Sequence, residues 1–276
     1  MARYLDMVTD TPETIHFDFA TRADFSERKE YFSDFVLGGG RDLKAYGLTR
    51  ITPTLTMTYD VNGLNFLKFV LGHSDYTRDT VNPSTLTPKG TIGTLDVRVT
   101  VESENMSIHN GKVNTWEITV EEGNPVRAEV NIIGKSIGTE AANTYNPDFS
   151  DMPLMPYEVT ISTGGSELDF TRFNIRISNA LQAIFKTSSI PVEIREAGLD
   201  VTGRIRANNF SNWATEGPWT ISFGTIGTII LHQVKFMEIP PRVTGFDLPE
   251  TEINWTAYPT ASTCAITAKI PADPKW

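Results

Sequence analysis

Four histidines, His16, His73, His109 and His232, are the residues whose chemistry could matter first, because imidazole both ligates metals and moves protons. A metal site needs ligands that converge, and none of the four has a second His, Cys or carboxylate at a ligand spacing. No metal and no cofactor is therefore expected. His109 stands beside Asn110 and Gly111, a turn signal, and His232 falls within a strand-like run, so both are expected to be structural or solvated. Adjacent carboxylates such as Glu121 and Glu122 could serve glycoside hydrolysis, which uses two acids across a cleft. Neighbours on a strand point to opposite faces, however, and the pair reads as the solvated end of a hairpin. The run Gly38, Gly39, Gly40 lacks the Lys-Ser/Thr of a phosphate loop and reads as a flexible joint. With no Gly-x-Ser-x-Gly elbow and no Cys/His pair, the chain reads as non-enzymatic. Trp213, Trp219 and Trp276 could stack on sugar rings if exposed, which keeps open a carbohydrate- or receptor-binding β-sandwich as the alternative.

The elements that would position such residues are mostly strands. The chain has 276 residues, enough for one large domain or two ordinary ones. Its 39% hydrophobic and 21% charged residues are those of a globular protein. Lys and Arg number 24 against 34 Asp and Glu, a net charge of −10, which argues against a surface that grips the phosphate backbone. An acidic balance is also common in ordinary soluble proteins. The single cysteine, Cys264, cannot form an internal disulfide, and its place in the run Cys264, Ile266, Ala268, Ile270 suggests a buried strand face. No secretory signal is evident, and no run approaches the roughly 18 apolar residues that span a bilayer, so no membrane partner is expected.

Strict alternation marks the strands. Leu95, Val97, Val99 and Val101 oppose Asp96, Arg98, Thr100 and Glu102. Trp116, Ile118 and Val120 oppose Glu117, Thr119 and Glu121, and beyond the turn signal Glu122-Gly123-Asn124, Val126, Ala128, Val130 and Ile132 oppose Arg127, Glu129 and Asn131. The same pattern returns at Phe173, Ile175 and Ile177 and at Leu199, Val201 and Ile205. One short helix is expected over Gly63–Leu71, closed by Gly72, and a second over Ala23–Val36, where Phe25, Phe32 and Phe35 share a side. Two polar loops stand out: His73–Gly90 and the Ala141–Pro156 segment, which reads as a linker.

Across that linker the sequence repeats itself weakly. Ala45, Gly47, Leu48, Ile51, Thr52 and Leu55 match Ala197, Gly198, Leu199, Val201, Thr202 and Ile205. VNTWEI from Val113 matches VKFMEI from Val234, and EVNI from Glu129 matches EINW from Glu252. The blocks keep their order. The expected organisation is a first domain over 1–140 with an N-terminal extension, a linker over 141–156 and a second, similar domain over 157–276.

The stretch TVESENMSIHNGKVNTWEITVEEGNPVRAEVNIIGKS, with its turn at Gly-Lys-Val-Asn, its acidic turn before Gly-x-Pro-Val and its close on Gly-Lys, resembles the phage tail tube proteins. In the second half LDFTRFNIRISNALQAIF followed by GLDVTGRIRANNF is similar to the same family's pattern. The likeness spans about Leu43 to Ala257 and is carried by turns and strands rather than by one signature.

That resemblance implies a mainly β fold with one or two short helices, built as tandem duplicated tail-tube β-sandwich or barrel domains. It implies a structural virion protein, the major tail tube subunit, assembled in the host cytoplasm. Its partners would be itself, other tail proteins and viral DNA that passes through without tight binding. With two similar domains per chain the implied ring is a pseudo-hexameric trimer, with a hexamer as the alternative. In such a tube Asp96, Glu102, Glu117, Glu121 and Glu129 are candidates for an acidic lumen, although the solvated face of any sandwich explains their alternation as well. The His73–Gly90 loop is the candidate contact between stacked rings, with His73, Asp75, Tyr76, Arg78, Asp79 and Lys89 as its polar residues.

Overall fold

The structure is a computed structural model and describes residues 3–9, 15–17, 19–34, 45–73, 82–101, 104–139, 152–207, 216–237 and 251–272. The first half contributes β1 (Arg3–Thr9), β2 (Ile15–Phe17), β3 (Ala20–Asp34), β4 (Ala45–Asp60), α1 (Leu67–Val70), β5 (Ser84–Leu86), β6 (Leu95–Val101), β7 (Glu104–Glu121), β8 (Arg127–Ile133) and β9 (Ser136–Thr139). The second half contributes β10 (Val159–Thr163), β11 (Ser166–Glu167), β12 (Arg172–Ser178), β13 (Leu181–Ile184), β14 (Glu193–Glu196), β15 (Asp200–Ala207), β16 (Gly217–Phe223), β17 (Thr228–Phe236), β18 (Thr251–Ala257) and β19 (Ile266–Ile270). The protein is mainly β, as the alternating sequence requires. The Glu122-Gly123-Asn124 turn joins β7 to β8, with Gly123 at φ +82, a conformation that costs glycine least.

The helix expected over Ala23–Val36 is not formed. Ala20–Asp34 is strand β3, laddered to β4 from Ala20 opposite Tyr59 to Asp34 opposite Ala45. The two-residue period decides it: Ala23 and Phe25 pack on the core while Asp24 and Ser26 are exposed, and a full-length strand partner overrides local propensity. The other expected helix shrinks to the single turn α1, yet its apolar set of Leu64, Leu67, Val70 and Leu71 is buried as the spacing requires. Gly72 closes it at φ +85, where a Cβ would lie 2.5 Å from the Thr91 carbonyl. Part of the His73–Gly90 loop is also core structure. β5 pairs with β19 and Leu86 is buried. The Gly38–Gly40 run and most of the linker lie outside the described residues, but Leu154 at the linker's end is buried and strapped to the first half. Its N–H donates to the Val61 carbonyl at 2.7 Å, and its own carbonyl accepts from Val126 N–H at 2.8 Å.

Strand pairing falls into two sets with the same order. In the first half β1 pairs with β2 and β6, β6 with β7, β7 with β8 and β9, β8 with β4, and β4 with β3. In the second half β10 pairs with β11 and β16, β16 with β17, β17 with β18 and β19, β18 with β15, and β15 with β12. A register shift interrupts β6–β7 between Leu95 and Val97, and another interrupts β16–β17 between Gly217 and Trp219.

The two sets are joined by a ladder. β7 is long enough for two jobs: its first part carries β6 on one edge and β9 on the other, and its last part carries β8 and, opposite it, β12. Ile118 faces Ile175 and Val120 faces Phe173 across this joint, all fully buried. Such side chains each contribute roughly 1.5–3 kcal/mol when taken from water, so the core runs unbroken through the junction. Phe173 stacks on Trp255 with ring centres 5.9 Å apart, and Gly203 leaves the room that the Trp255 indole fills.

Candidate functional site

Seven consecutive antiparallel strands, β3–β4–β8–β7–β12–β15–β18, form one sheet across both halves, with the core against one face. The other face is polar because the alternate residues of each strand are polar. Its registers bring charges into rows. Glu121 lies opposite Arg172, Arg172 opposite Arg206, and Arg206 opposite Glu252. In the next row but one on the same face Glu129 lies opposite Glu117, and Glu117 opposite Arg176.

Two carboxylates facing each other across a ladder repel. The Glu129–Glu117 pair is relieved from the second half, because Asn174 Nδ2 donates to Glu117 at 2.7 Å and Arg176 stands 3.8 Å from it. Further ion pairs cover the face: Arg172 with Glu121 at 3.7 Å, Arg206 with Glu252 at 3.2 Å, Arg204 with Glu252 at 3.6 Å, and Arg127 with Asp60 at 3.1 Å. Each is solvated and contributes little to stability. Their effect is on the field: arginines and carboxylates alternate over the surface, and the guanidinium groups are already engaged. A shallow recess of about 700 Å³ in this face is bordered by Glu117, Arg172, Arg176, Arg204 and Glu252. No group of His, Cys, Asp or Glu among the described residues could hold a metal ion.

The structure therefore brings together Glu117, Glu121 and Glu129 of the expected acidic set. Asp96 stands apart on β6, where its carboxylate accepts from Asn110 N–H at 2.5 Å and lies 3.5 Å from His109 Nδ1. Glu102 lies outside the described residues. Of the ring-contact candidates, His73 is held to the Thr87 carbonyl at 2.5 Å and Lys89 is exposed, while Asp75, Tyr76, Arg78 and Asp79 lie outside the described residues. His109 belongs to β7 itself, next to a bulge where Asn110 takes φ 48, and His232 bonds Thr267 Oγ1 at 2.8 Å. Trp219 is fully buried, which removes it as a sugar-stacking platform; Trp213 and Trp276 lie outside the described residues. Cys264 sits just before β19, its thiol donating to the Ile266 carbonyl at 2.9 Å. What the sequence reading missed is the arginine partner of Glu117 and of Glu121. The alternate arginines on β12 and β15 were the available signal, but only the register shows which acid each one meets.

A second polar contact lies at the junction. Lys112 Nζ donates to Glu196 at 2.6 Å, and the same carboxylate accepts from Ile92 N–H at 3.0 Å. Partial burial works against ionisation of Glu196, but the Lys112 and Ile92 bonds outweigh it and hold the carboxyl below its ordinary range. Ile51 N–H also reaches the Ser189 carbonyl at 2.7 Å, so the β13–β14 hairpin grips the first half at two places.

A family model described as phage tail tube protein matches residues 7–257. No curated protein matches the chain.

Proposed function

We propose, because this chain belongs to the phage tail tube protein family, that its structural role in the tail is carried out by closure into rings that stack around a channel for the genome. The membership makes it a structural component of the virion tail. The observation that supports ring closure is the β7–β12 joint. Two sets of strands with the same pairing order already share one sheet, edge to edge, within the chain. A chain made of two such units, over 1–140 and 157–276, needs three copies to give six units, so the reading favours a pseudo-hexameric trimer over a hexamer. Closing a ring removes sheet edges that would otherwise associate without limit.

The polar face of the seven-stranded sheet is the surface this reading turns toward the channel. Glu117, Glu121 and Glu129 then face the passing DNA, with Arg176 and Arg172 neutralising the first two. A charge-balanced wall fits a duct, since free arginines would bind phosphate and slow the passage. The segment His73–Gly90 is assigned to the contact between successive rings, where its length exceeds what a local turn needs. Other tail proteins would meet the ends of the stack.

Negative-stain microscopy of the purified protein, with the mass of a single ring, tests the reading. Rings or tubes with a central hole and a mass of three chains are expected. Compact particles without a hole would overturn it, and a six-chain mass would overturn the trimer alone.

A further inference from the structure

β13 and β14 form a two-stranded sheet of their own, apart from the sheet that joins the halves. The hairpin leaves the end of β12 at Ala180 and rejoins β15 through Ala197, Gly198 and Leu199. Ile194 of β14 is only 3% exposed, yet among the described residues neither it nor Ile92 joins the continuous core. A hairpin docked outside the core opens at lower cost than the ladders around it.

Polar contacts hold it to the first half. One oxygen of the Glu196 carboxylate accepts from both Lys112 Nζ at 2.6 Å and Ile92 N–H at 3.0 Å. Near the hairpin's tip the Ser189 carbonyl accepts from Ile51 N–H at 2.7 Å, and the Arg50 guanidinium lies 5.2 Å over the Phe185 ring. The end at β12 is strained. Ala180 takes φ 44, a left-handed conformation that an L side chain disfavours, directly after Asn179, whose amide is fixed to the first half. The Ala180 side chain is exposed, so the cost is one of backbone rather than of packing. At the other end nothing lies within 4 Å of the place a Cβ on Gly198 would take.

We propose that the β13–β14 hairpin is an acid-released latch between the two halves, hinged at Ala180 and Gly198 and caught by the Lys112–Glu196 pair. Strain at Ala180 favours opening and the pair opposes it, so the charge on Glu196 sets the balance. Lys112 and the Ile92 N–H face that carboxylate from the first half, while the hairpin adds Lys186 and the Glu193–Arg195 pair, 3.2 Å apart. Partial burial works against ionisation of Glu196, but its two bonds keep the folded pKa below the unfolded one. The catch is therefore fully present above the unfolded carboxylate value, about 4.3, and is lost as pH falls through the folded pKa. The β7–β12 ladder does not use this pair, so the halves stay joined while the latch is open. The latch is a property of the single chain and is independent of ring closure.

Hydrogen exchange resolved to single amides tests it, because the Ile51 and Ile92 N–H groups lie in the first half yet bond to the hairpin. In the wild-type chain at pH 7 both should be about tenfold or more less protected than Phe173 and Ile175 of the β12 ladder. Between pH 7 and pH 3 their protection should fall by about tenfold more than that of Phe173 and Ile175. Glu196→Gln should show the lowered protection already at pH 7 and lose this pH dependence. Ala180→Gly relieves the strain of the closed latch and should raise the protection of both amides about fivefold. Ile51 and Ile92 protected as well as Phe173 and Ile175 across the pH range would overturn the latch. So would a Glu196→Gln chain as protected as wild type at pH 7, or an Ala180→Gly chain no better protected than wild type. If Glu196→Gln does not fold, the wild-type pH series and Ala180→Gly decide the matter.

Discussion

The side-chain amide of Asn179 donates to the Val113 carbonyl at 2.9 Å and to the Val70 carbonyl at 3.1 Å, from a position that is only 4% exposed. One side chain from the end of β12 thereby ties together β7, the α1 turn and the second half. Its backbone N–H adds a bond to the Asn114 carbonyl at 2.8 Å, and Leu181 N–H returns one to Asn114 Oδ1 at 3.1 Å. The two halves are thus stitched by polar contacts at one end of a ladder whose middle is apolar.

Replacing Asn179 by Ala leaves two buried carbonyls short of a donor. Each such loss costs about 1–3 kcal/mol, so Asn179→Ala should destabilise the chain by roughly 2–6 kcal/mol in urea unfolding. Asn179→Leu should do no better, because bulk without donors leaves the same carbonyls bare. An unfolding midpoint like that of wild type in either variant would show that the contact does not hold the junction.

Gly203 and Gly198 give a matched pair. A Cβ on Gly203 would lie 2.2 Å from the Asn174 carbonyl oxygen and 2.2 Å from the Trp255 ring, neither of which can retreat without disturbing the ladder or the core. Nothing lies within 4 Å of the corresponding point on Gly198. Gly203→Ala is expected to cost about 1–3 kcal/mol or more, and Gly198→Ala to change stability little. Thermal unfolding of the two variants side by side checks the difference.

The Lys112–Glu196 bond makes stability depend on acid. The folded pKa of Glu196 lies below its unfolded value, so its contribution is fully present above the unfolded carboxylate range, about 4.3, and is lost as pH falls through the folded pKa. Glu196→Gln should therefore lower stability at pH 7 and make little difference at the acid end, so that the wild-type and variant curves converge as pH falls. Curves that stay parallel from pH 7 to pH 3 would show that the pair does not titrate with folding.

How far the sequence carried depends on which interactions local pattern encodes. The β7–β8 hairpin was legible because Trp116, Ile118 and Val120 alternate on one side of Gly123 and Val126, Ala128 and Val130 on the other. The block match of Glu129–Ile132 to Glu252–Trp255 lands on β8 and β18, which hold matching places in the pairing order. β3 was misread because three phenylalanines fall at near-helical spacing, while the influence that makes it a strand is β4, beyond the reach of local periodicity. Glu117 and Glu121 were visible as polar alternants. Their arginine partners were not, since the contact of Arg176 with Glu117 depends on a register between residues 59 positions apart in the chain.

That register gives the channel reading its sharpest consequence. Arg172 and Arg176 are neutralised by Glu121 and Glu117, so reversing Glu117, Glu121 and Glu129 to Lys removes the partners and adds new cations at once. The affected ion pairs are solvated and contribute about 0–1 kcal/mol each, so folding and ring formation should survive. The wall would then attract phosphate, with an affinity that falls steeply as salt rises. Rings of the triple variant should retain duplex DNA at low salt and release it at high salt, whereas wild-type rings should not retain it. Virions built from the variant should deliver their genome more slowly. Wild-type delivery, together with no DNA retention by the variant, would place these three carboxylates somewhere other than the channel, while a loss of ring formation would assign them to the contact between subunits instead.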